Sequence, residues 1–414
     1  MAPQLGPHEL MHVFSFLEAR DLLRAAQVNK VWNEVAMTKE LWRQLCLRRW
    51  ASCNAFPMVV GTQTWRQYYF CRSELEFRVE SGRPQDFISK AVSGHTGKID
   101  QLAYVTPHEY RFDERAKSVV CTVSSDCTVR AWDLHEGAEI WSSPVQPAPL
   151  MSLVAYPLLQ LVVTVDTQGL IIGWKAETGS LWASFCLPTF CSSMEACGHS
   201  EGPFLMVFYT QSLLYPSEDG LPVSTSLPVR LSSRACWAPE EAARLMVMHR
   251  DVRGTHLVIT TFDLKARKSR DRVNTLEQQQ LASFPLPNTM TPHLMQGHGS
   301  QVILLASRSE LVLFTIHGLQ LMAFQDHQRP ITSMWVDPTR VITSSLDLSL
   351  RVYLWNKKNT CPVLKSCYQL PGGSHRWASG FTHVKSDSMS IAGVEARSNG
   401  TSILRSYCYK VQLG

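Results

Sequence analysis

The sequence predicts a multidomain protein in which a small all-α region and a helical linker precede an all-β propeller. Three observations support this fold class. Apolar residues recur at helical spacing over residues 7–50, and an aromatic-rich helical pattern follows at residues 64–79. Beyond residue 80, apolar and β-branched runs alternate with turn residues at intervals of roughly 40 to 50 residues, which is typical of four-stranded propeller blades. We therefore expect domains at 1–50, 51–80 and 81–414.

The composition argues against several classes of protein. A chain of 414 residues is too long for one ordinary core. Its net charge of +5 is small, so nucleic acid is not an expected partner. No secretory signal is visible, and the most apolar stretch, residues 302–324, is interrupted by Arg308 and Glu310, which argues against a membrane span. We expect a cytoplasmic or nuclear protein, or one found in both, whose twelve cysteines are reduced.

The N-terminal region is predicted to form short helices. The first spans about His8 to Phe16, Asp21 is a candidate cap for the second, and Thr38 is a candidate cap for a later helix that carries Leu41. A region this short presents more large apolar side chains than it can bury by itself. It therefore requires a partner surface, either within the chain or outside it.

The order of these residues resembles a known family. The patterns P-x-E-L-x-x-V-F-S-F-L, D-L-L-R-A-A-Q-V, V-W and L-W-R-Q-L-C follow one another between Pro7 and Cys46 and together resemble the F-box. One departure is Gly6, which stands where the family usually has leucine. The resemblance implies docking on the Skp subunit of a ubiquitin ligase. Interface anchors and F-box core residues are then expected among Pro7, Leu10, Phe14, Leu17, Leu22, Leu23, Val28, Trp32 and Trp42.

A helical connector is predicted next. Trp65, Tyr68 and Leu75 recur every three or four residues, and Thr64 can cap the start of the helix. So many aromatic residues fit a flexible linker poorly. We expect the connector to stack on the F-box.

The clearest repeat of the β region, from Gly94 to Asp133, reads GHTGKIDQLAY followed by VVCTVSSDCTVRAWD and resembles the WD repeat. In that family a histidine, a serine or threonine, an aspartate and a tryptophan are hydrogen-bonded within one blade. The resemblance places these groups at His95, Thr122, Asp126 and Trp132. A second copy places them at His327, Thr343, Asp347 and Tyr353, with tyrosine in the tryptophan position.

The spacing predicts seven blades, with six as the alternative count. The predicted blade starts are Ile99, Leu150, Cys191, Arg234, Pro292, Ile331 and Trp377. An early strand, Phe87 to Ser93, is expected to close the ring by pairing with the last blade around Ser402 to Tyr409. Closure would remove the exposed strand edges that promote aggregation.

Two short patterns imitate catalytic signatures. Residues 8–12 read H-E-x-x-H, but they lie inside the F-box pattern, and no catalytic zinc domain surrounds them. Residues 198–202 read G-x-S-x-G, but a strand follows where a nucleophile elbow needs a helix. No phosphate-binding loop occurs. We expect no enzymatic activity, no metal site and no cofactor.

Basic residues suggest two further features. The run Lys265 to Arg272 is read as a solvated loop, with a nuclear-import signal or an anion-binding patch as the alternative. In addition, basic residues recur on the propeller face where WD-repeat proteins usually bind ligands. They would form a positive rim for an acidic or phosphorylated protein segment. Its members would be Lys98, Arg234, Arg250, Arg308, Arg329 and Arg376.

The two resemblances together imply a substrate-recognition subunit of an SCF E3 ubiquitin ligase. The F-box would dock on the Skp subunit and, through it, on the cullin and RING subunits, while the propeller would capture target proteins for ubiquitination and degradation. Such a receptor acts by proximity and supplies no bond-making group. The alternative is a scaffold that binds partners without delivering them to a ligase.

Overall fold

The computed structural model describes most of the chain, with gaps. The described residues are 5–50, 64–107, 110–112, 117–186, 194–199, 202–207, 212–215, 223–239, 243–269, 272–356, 362–373 and 376–411. They divide into two compact units, one that contains the helices and one that contains the β-sheets. No helix in these ranges is both long enough and apolar enough to cross a membrane.

The helical unit contains five α-helices. They are α1 Pro7–Phe14, α2 Ala19–Ala25, α3 Lys30–Ala36, α4 Lys39–Arg49 and α5 Trp65–Ser81. Two of the predicted caps are wrong. Asp21 lies inside the first turn of α2 and forms an ion pair with Arg24, and the Thr38 hydroxyl donates to Val35 rather than capping α4. The cap that the sequence analysis missed is Asn29, which accepts a hydrogen bond from the backbone N–H of Trp32 at 2.9 Å.

The predicted connector helix is present as α5. The Thr64 hydroxyl accepts from the Gln67 backbone and the Gln67 side chain accepts from the Thr64 backbone, which completes a capping box. The helix ends at Gly82, whose φ of 58° is left-handed, a conformation that glycine adopts without steric cost. Helix α5 packs on α4, where Trp50 Nε1 donates to Glu76 Oε1 at 2.7 Å.

The second unit contains seven four-stranded antiparallel sheets, one of the two blade counts that the sequence allows. Blade 1 is β2–β5, blade 2 is β6–β9, blade 3 is β10–β13, blade 4 is β14–β17, blade 5 is β18–β21, blade 6 is β22–β25, and blade 7 is β26–β28 together with β1. The strands are β1 Phe87–Val92, β2 Ile99–Tyr104, β3 Val119–Ser124, β4 Val129–Asp133, β5 Ala138–Ser142, β6 Leu150–Tyr156, β7 Leu161–Asp166, β8 Leu170–Lys175, β9 Leu181–Cys186, β10 Met194–His199, β11 Gly202–Val207, β12 Ser212–Tyr215, β13 Val223–Ser226, β14 Arg230–Trp237, β15 Arg244–Arg250, β16 Leu257–Ser269, β17 Arg272–Pro285, β18 Leu294–His298, β19 Val302–Ser307, β20 Glu310–Thr315, β21 Gln320–Phe324, β22 Ile331–Val336, β23 Arg340–Ser345, β24 Ser349–Asn356, β25 Val363–Pro371, β26 Ala378–Ser386, β27 Ser390–Arg397 and β28 Ser402–Tyr409.

The blades form a closed ring. The first strands contact one another in the order β2, β6, β10, β14, β18, β22 and β26, and β26 contacts β2. The predicted closing strand is β1, which pairs with β28 in the last sheet. Apolar side chains of neighbouring sheets fill the space between blades, so the core is distributed around the ring.

Two predictions about the β region need correction. Arg234 does not begin a blade but lies within β14, which starts at Arg230. The basic run is not a loop, because its first five residues end β16 and Arg272 begins β17, and these strands pair with each other. Cys191, the predicted start of blade 3, lies outside the described residues, and the first strand there begins at Met194.

Candidate partner-binding surfaces

The helical unit buries only part of the residue set predicted to bind Skp. Leu10, Phe14, Leu22 and Trp42 are buried, so these four form the core of the helical unit and cannot contact a partner directly. Leu17, Leu23 and Trp32 are half-buried, whereas Pro7 and Val28 are exposed.

The same unit exposes several large apolar side chains that the prediction did not include. Phe16 is 72% exposed, and Leu5, Val13 and Val31 are also exposed. The cause is the way α1 packs on α3, where the rings of Phe14 and Trp32 meet edge to face at 5.3 Å. That packing uses one side of α1 and leaves Val13 and Phe16 in solvent. We call Leu5, Val13, Phe16, Val28 and Val31 the apolar face.

In blade 1 the structure brings together the four residues that the WD repeat predicts. His95 Nδ1 lies 2.8 Å from Asp126 Oδ2, and His95 Nε2 lies 2.8 Å from Thr122 Oγ1. Trp132 Nε1 donates to Thr122 Oγ1 at 2.8 Å. Burial lowers the pKa of His95, while hydrogen bonds from Thr128 and His95 lower the pKa of the Asp126 carboxyl against the opposing effect of its burial.

Blade 6 repeats this arrangement with a tyrosine. His327 Nδ1 lies 2.9 Å from Asp347 Oδ2, and its Nε2 lies 2.7 Å from Thr343 Oγ1. The Tyr353 hydroxyl hydrogen-bonds to Thr343, and burial raises the pKa of Tyr353. Blade 2 keeps part of the arrangement, because Trp174 Nε1 donates to Thr164 Oγ1 at 2.9 Å. The sequence analysis missed this pair because no histidine accompanies it.

Five of the six predicted rim cations lie on one side of the propeller. In an antiparallel blade, the connection before the first strand and the connection between the second and third strands lie at the same end of the sheet. We call this side the top face. Its cations are Lys98, Arg250, Arg308, Arg329 and Arg376, all of them exposed and each carried by a different blade. Arg234, the sixth, lies inside a strand instead.

Four of the six cations are held by neighbouring groups. The Lys98 ammonium lies 3.3 Å from Asp100, and Arg234 donates to the His293 carbonyl at 2.8 Å. Arg250 donates to the Gly254 carbonyl at 3.2 Å, and the Arg376 guanidinium lies 5.0 Å from the centre of the Trp377 ring. Arg234 thus ties blade 4 to blade 5.

Arg308 and Arg329 differ from the other four. Neither guanidinium has a hydrogen bond or an ion pair with any residue in the described ranges. The Ile331 backbone N–H donates to the Arg308 carbonyl at 2.8 Å, which brings the turn of blade 5 that carries Arg308 next to the start of blade 6, where Arg329 lies.

Sequence comparison places the chain in a family. F-box/WD repeat-containing protein 12 of Homo sapiens is 32% identical to it, over 96% of this chain and 97% of that protein. The chain belongs to the F-box/WD repeat-containing proteins. F-box/WD repeat-containing protein 15 of Mus musculus is 29% identical, over 89% of this chain and 91% of that protein. The F-box-like family matches residues 7–48.

Solved structures agree with the propeller fold of this F-box/WD repeat-containing protein. The WD40 propeller domain of Doa1 aligns with a TM-score of 0.51 at 13% identity, covering 78% of this chain and 97% of that domain. The structure of U3-55K aligns with a TM-score of 0.54 at 11% identity, covering 79% and 99%. At this level of identity the likeness shows the fold alone.

The two imitation motifs gain no catalytic surroundings in this F-box/WD repeat-containing protein. His8 and His12 lie on α1, and within the described residues no three His, Cys, Asp or Glu side chains are grouped so as to hold a metal ion. Gly198 lies in β10 and Gly202 begins β11, so the motif joins two paired strands. Ser200, its central residue, lies outside the described residues.

Proposed function

We propose that this protein is the substrate-recognition subunit of an SCF-type E3 ubiquitin ligase. The observation that carries the proposal is the apolar face of the helical unit, on a chain that also contains a WD-repeat propeller. Large apolar side chains held in solvent lower the free energy of association when a partner covers them. A Skp-type adaptor is the partner that the F-box resemblance implies.

In this proposal the two ends of the protein bind different partners. The apolar face, with the half-buried Leu17, Leu23 and Trp32 beside it, docks on the adaptor, while Leu10, Phe14, Leu22 and Trp42 keep the helices in place. The propeller holds a target protein near the ubiquitin-loaded enzyme that the cullin and RING subunits recruit. The rate of transfer rises because the target's effective concentration rises, without a reacting group from this chain.

Co-expression with a Skp-type adaptor tests the docking surface. Phe16→Ser and Val28→Ser each remove an exposed anchor, so we expect recovery of the complex to fall by about tenfold, the effect of losing one interface anchor. The folded state should be unaffected because both side chains are in solvent. Val145→Ser is the matched control, since Val145 is 74% exposed on the propeller. Failure of the unaltered chain to bind the adaptor would refute the proposal.

The second candidate function is a scaffold that binds partners without delivering them to a ligase. Gly6 favours it, because this residue precedes α1 without supplying a side-chain cap or the leucine that the F-box resemblance leads us to expect. A reconstituted ubiquitination assay separates the two functions. A ligase subunit should transfer ubiquitin to the proteins that the propeller captures, whereas a scaffold should bind the same proteins and leave them unmodified.

A further inference from the structure

We propose that Arg308 and Arg329 form a two-arginine clamp that holds a single oxyanion of the captured protein, either a phosphate monoester or a side-chain carboxylate. This inference rests on the proposed function, because it assigns a recognition site to the propeller's target. It replaces the predicted rim of six cations with one pair of arginines.

The backbone places the two arginines next to each other. Arg308 and Ser309 form the two-residue turn between β19 and β20, and the Arg308 carbonyl accepts from the Ile331 N–H at 2.8 Å. Arg329 precedes Ile331 by two residues. Its own carbonyl accepts from the Ser345 hydroxyl at 2.9 Å, so the loop is held in place without using the guanidinium.

The charge of this pair is not compensated within the described part of the chain. Both side chains are exposed, and neither guanidinium forms a hydrogen bond or an ion pair there. Two like charges held on adjacent loops repel each other, and an anion bound between them removes that repulsion. The other top-face cations differ, since Lys98, Arg250 and Arg376 already contact a neighbouring group.

The backbone conformation of Arg308 also points to a role for its side chain. Its φ is 54°, in the left-handed region that favours glycine or asparagine over residues with longer side chains. The turn itself gains nothing from arginine at this position. Recognition of an anion does, because the planar guanidinium presents paired N–H donors that match two oxygens of a phosphate or carboxylate.

Binding of labelled peptide libraries to the full chain tests the clamp. Three degenerate libraries carry a fixed central residue, which is phosphoserine, glutamate or serine. We expect fluorescence anisotropy to show tighter binding of the phosphoserine or the glutamate library than of the serine library. The stronger of the two identifies the source of the oxyanion. Arg308→Asn, which suits the left-handed turn, and Arg329→Gln should each weaken that binding by about tenfold or more, the effect of losing a charge-assisted hydrogen bond.

Two further variants separate a clamp from general attraction to positive charge. Arg253→Gln removes an exposed charge from the top face of blade 4 and should leave binding unchanged. Arg329→Lys keeps the charge but not the paired donors and should still weaken binding. Equal binding of all three libraries, or an equal loss in Arg253→Gln, would overturn the clamp. Adaptor binding, measured on the same samples, reports on the proposed function separately, because loss of the clamp leaves the helical unit unchanged.

Discussion

At the scale of single residues, the histidine networks explain how polar side chains are buried inside the blades. In blade 1 the Asp126 carboxylate can only accept, so His95 Nδ1 carries the proton and Nε2 accepts from the Thr122 hydroxyl. The Thr122 oxygen in turn accepts from Trp132. Every donor and acceptor along this chain has a partner, so burial leaves no unsatisfied polar group. The same pattern holds the imidazole neutral.

These networks predict that acid destabilises the propeller. Burial lowers the pKa values of His95 and His327 below the ordinary 6.5, and lowers those of His298 and His383 to about 4. The unfolded chain therefore binds more protons than the folded chain once the pH falls below about 6.5, and the folded state loses stability there. We expect the free energy of unfolding to be largest above pH 6.5 and to fall steadily toward pH 5.

Urea unfolding at pH 7.5, 6.5, 5.5 and 5.0, followed by tryptophan fluorescence, measures this dependence. His12→Gln is the control, since His12 is exposed on α1 and its replacement should leave the curve unchanged. A free energy of unfolding that stays constant or rises toward pH 5 would contradict the assignment of neutral buried histidines.

The rim cations show where sequence information ends at this scale. The histidine, threonine and aspartate positions could be found because the WD pattern fixes both residue type and spacing. The state of a cation depends on atoms that are distant in the chain. Arg234 bonds to the carbonyl of His293, and no local pattern in the sequence indicates that contact. The pair Arg308 and Arg329 likewise becomes visible only when two blades are adjacent.

At the scale of elements, tight turns with left-handed glycines allow neighbouring blades to pack closely. Gly179, with a φ of 66°, lies in the turn after β8, and the ring of Trp141 from blade 1 lies against it. Trp141 Nε1 also donates to the Ala176 carbonyl at 2.8 Å. Phe284 of blade 4 packs in the same way against Gly318 of blade 5. An outer-strand aromatic residue and the next blade's glycine thus form a repeated contact between blades.

This contact predicts a large cost for Gly179→Ala. A β-carbon there would overlap the Trp141 ring in addition to forcing alanine into a left-handed conformation. We expect the free energy of unfolding to fall by about 3 kcal/mol, from backbone strain and overpacking together. Gly254→Ala is the matched control, because Gly254 has a φ of 73° and nothing within 4 Å of a β-carbon, which leaves only the strain of about 1 kcal/mol. Equal losses in the two variants, measured by urea unfolding, would show that the Trp141 contact adds nothing.

The elements themselves could largely be predicted from sequence, and their ends could not. The Thr64 capping box is local and was found, whereas the Asp21 and Thr38 predictions failed because each hydroxyl or carboxylate had another partner within three residues. The degenerate blades lack the histidine and tryptophan that mark the first repeat. Their starts were therefore placed from spacing alone, which misplaced Arg234.

At the scale of the whole molecule, the order of strands in the last blade closes the ring. Blade 7 takes three strands from the C-terminal part of the chain and its outer strand, β1, from the segment that precedes blade 1. Side chains join the same three blades. Arg340 of blade 6 donates to Ser386 Oγ of blade 7 at 2.9 Å, and Tyr104 Oη of blade 1 lies 2.9 Å from Ser390 Oγ of blade 7. The stability of the ring therefore depends on contacts between distant parts of the chain.

Strand β1 can be tested by comparing two truncated chains. Residues 83–414 keep β1, so we expect a monomer that unfolds cooperatively. Residues 94–414 lack it and expose the edge of β28, whose unpaired backbone groups can pair with another molecule. We expect this shorter chain to associate in size-exclusion chromatography with light scattering, and a synthetic peptide of residues 83–93 to restore the monomer where a scrambled peptide does not. Because β1 shields the backbone of β28, a shorter chain that stayed monomeric with unchanged unfolding would mean that the remaining six blades and three strands close the ring without it.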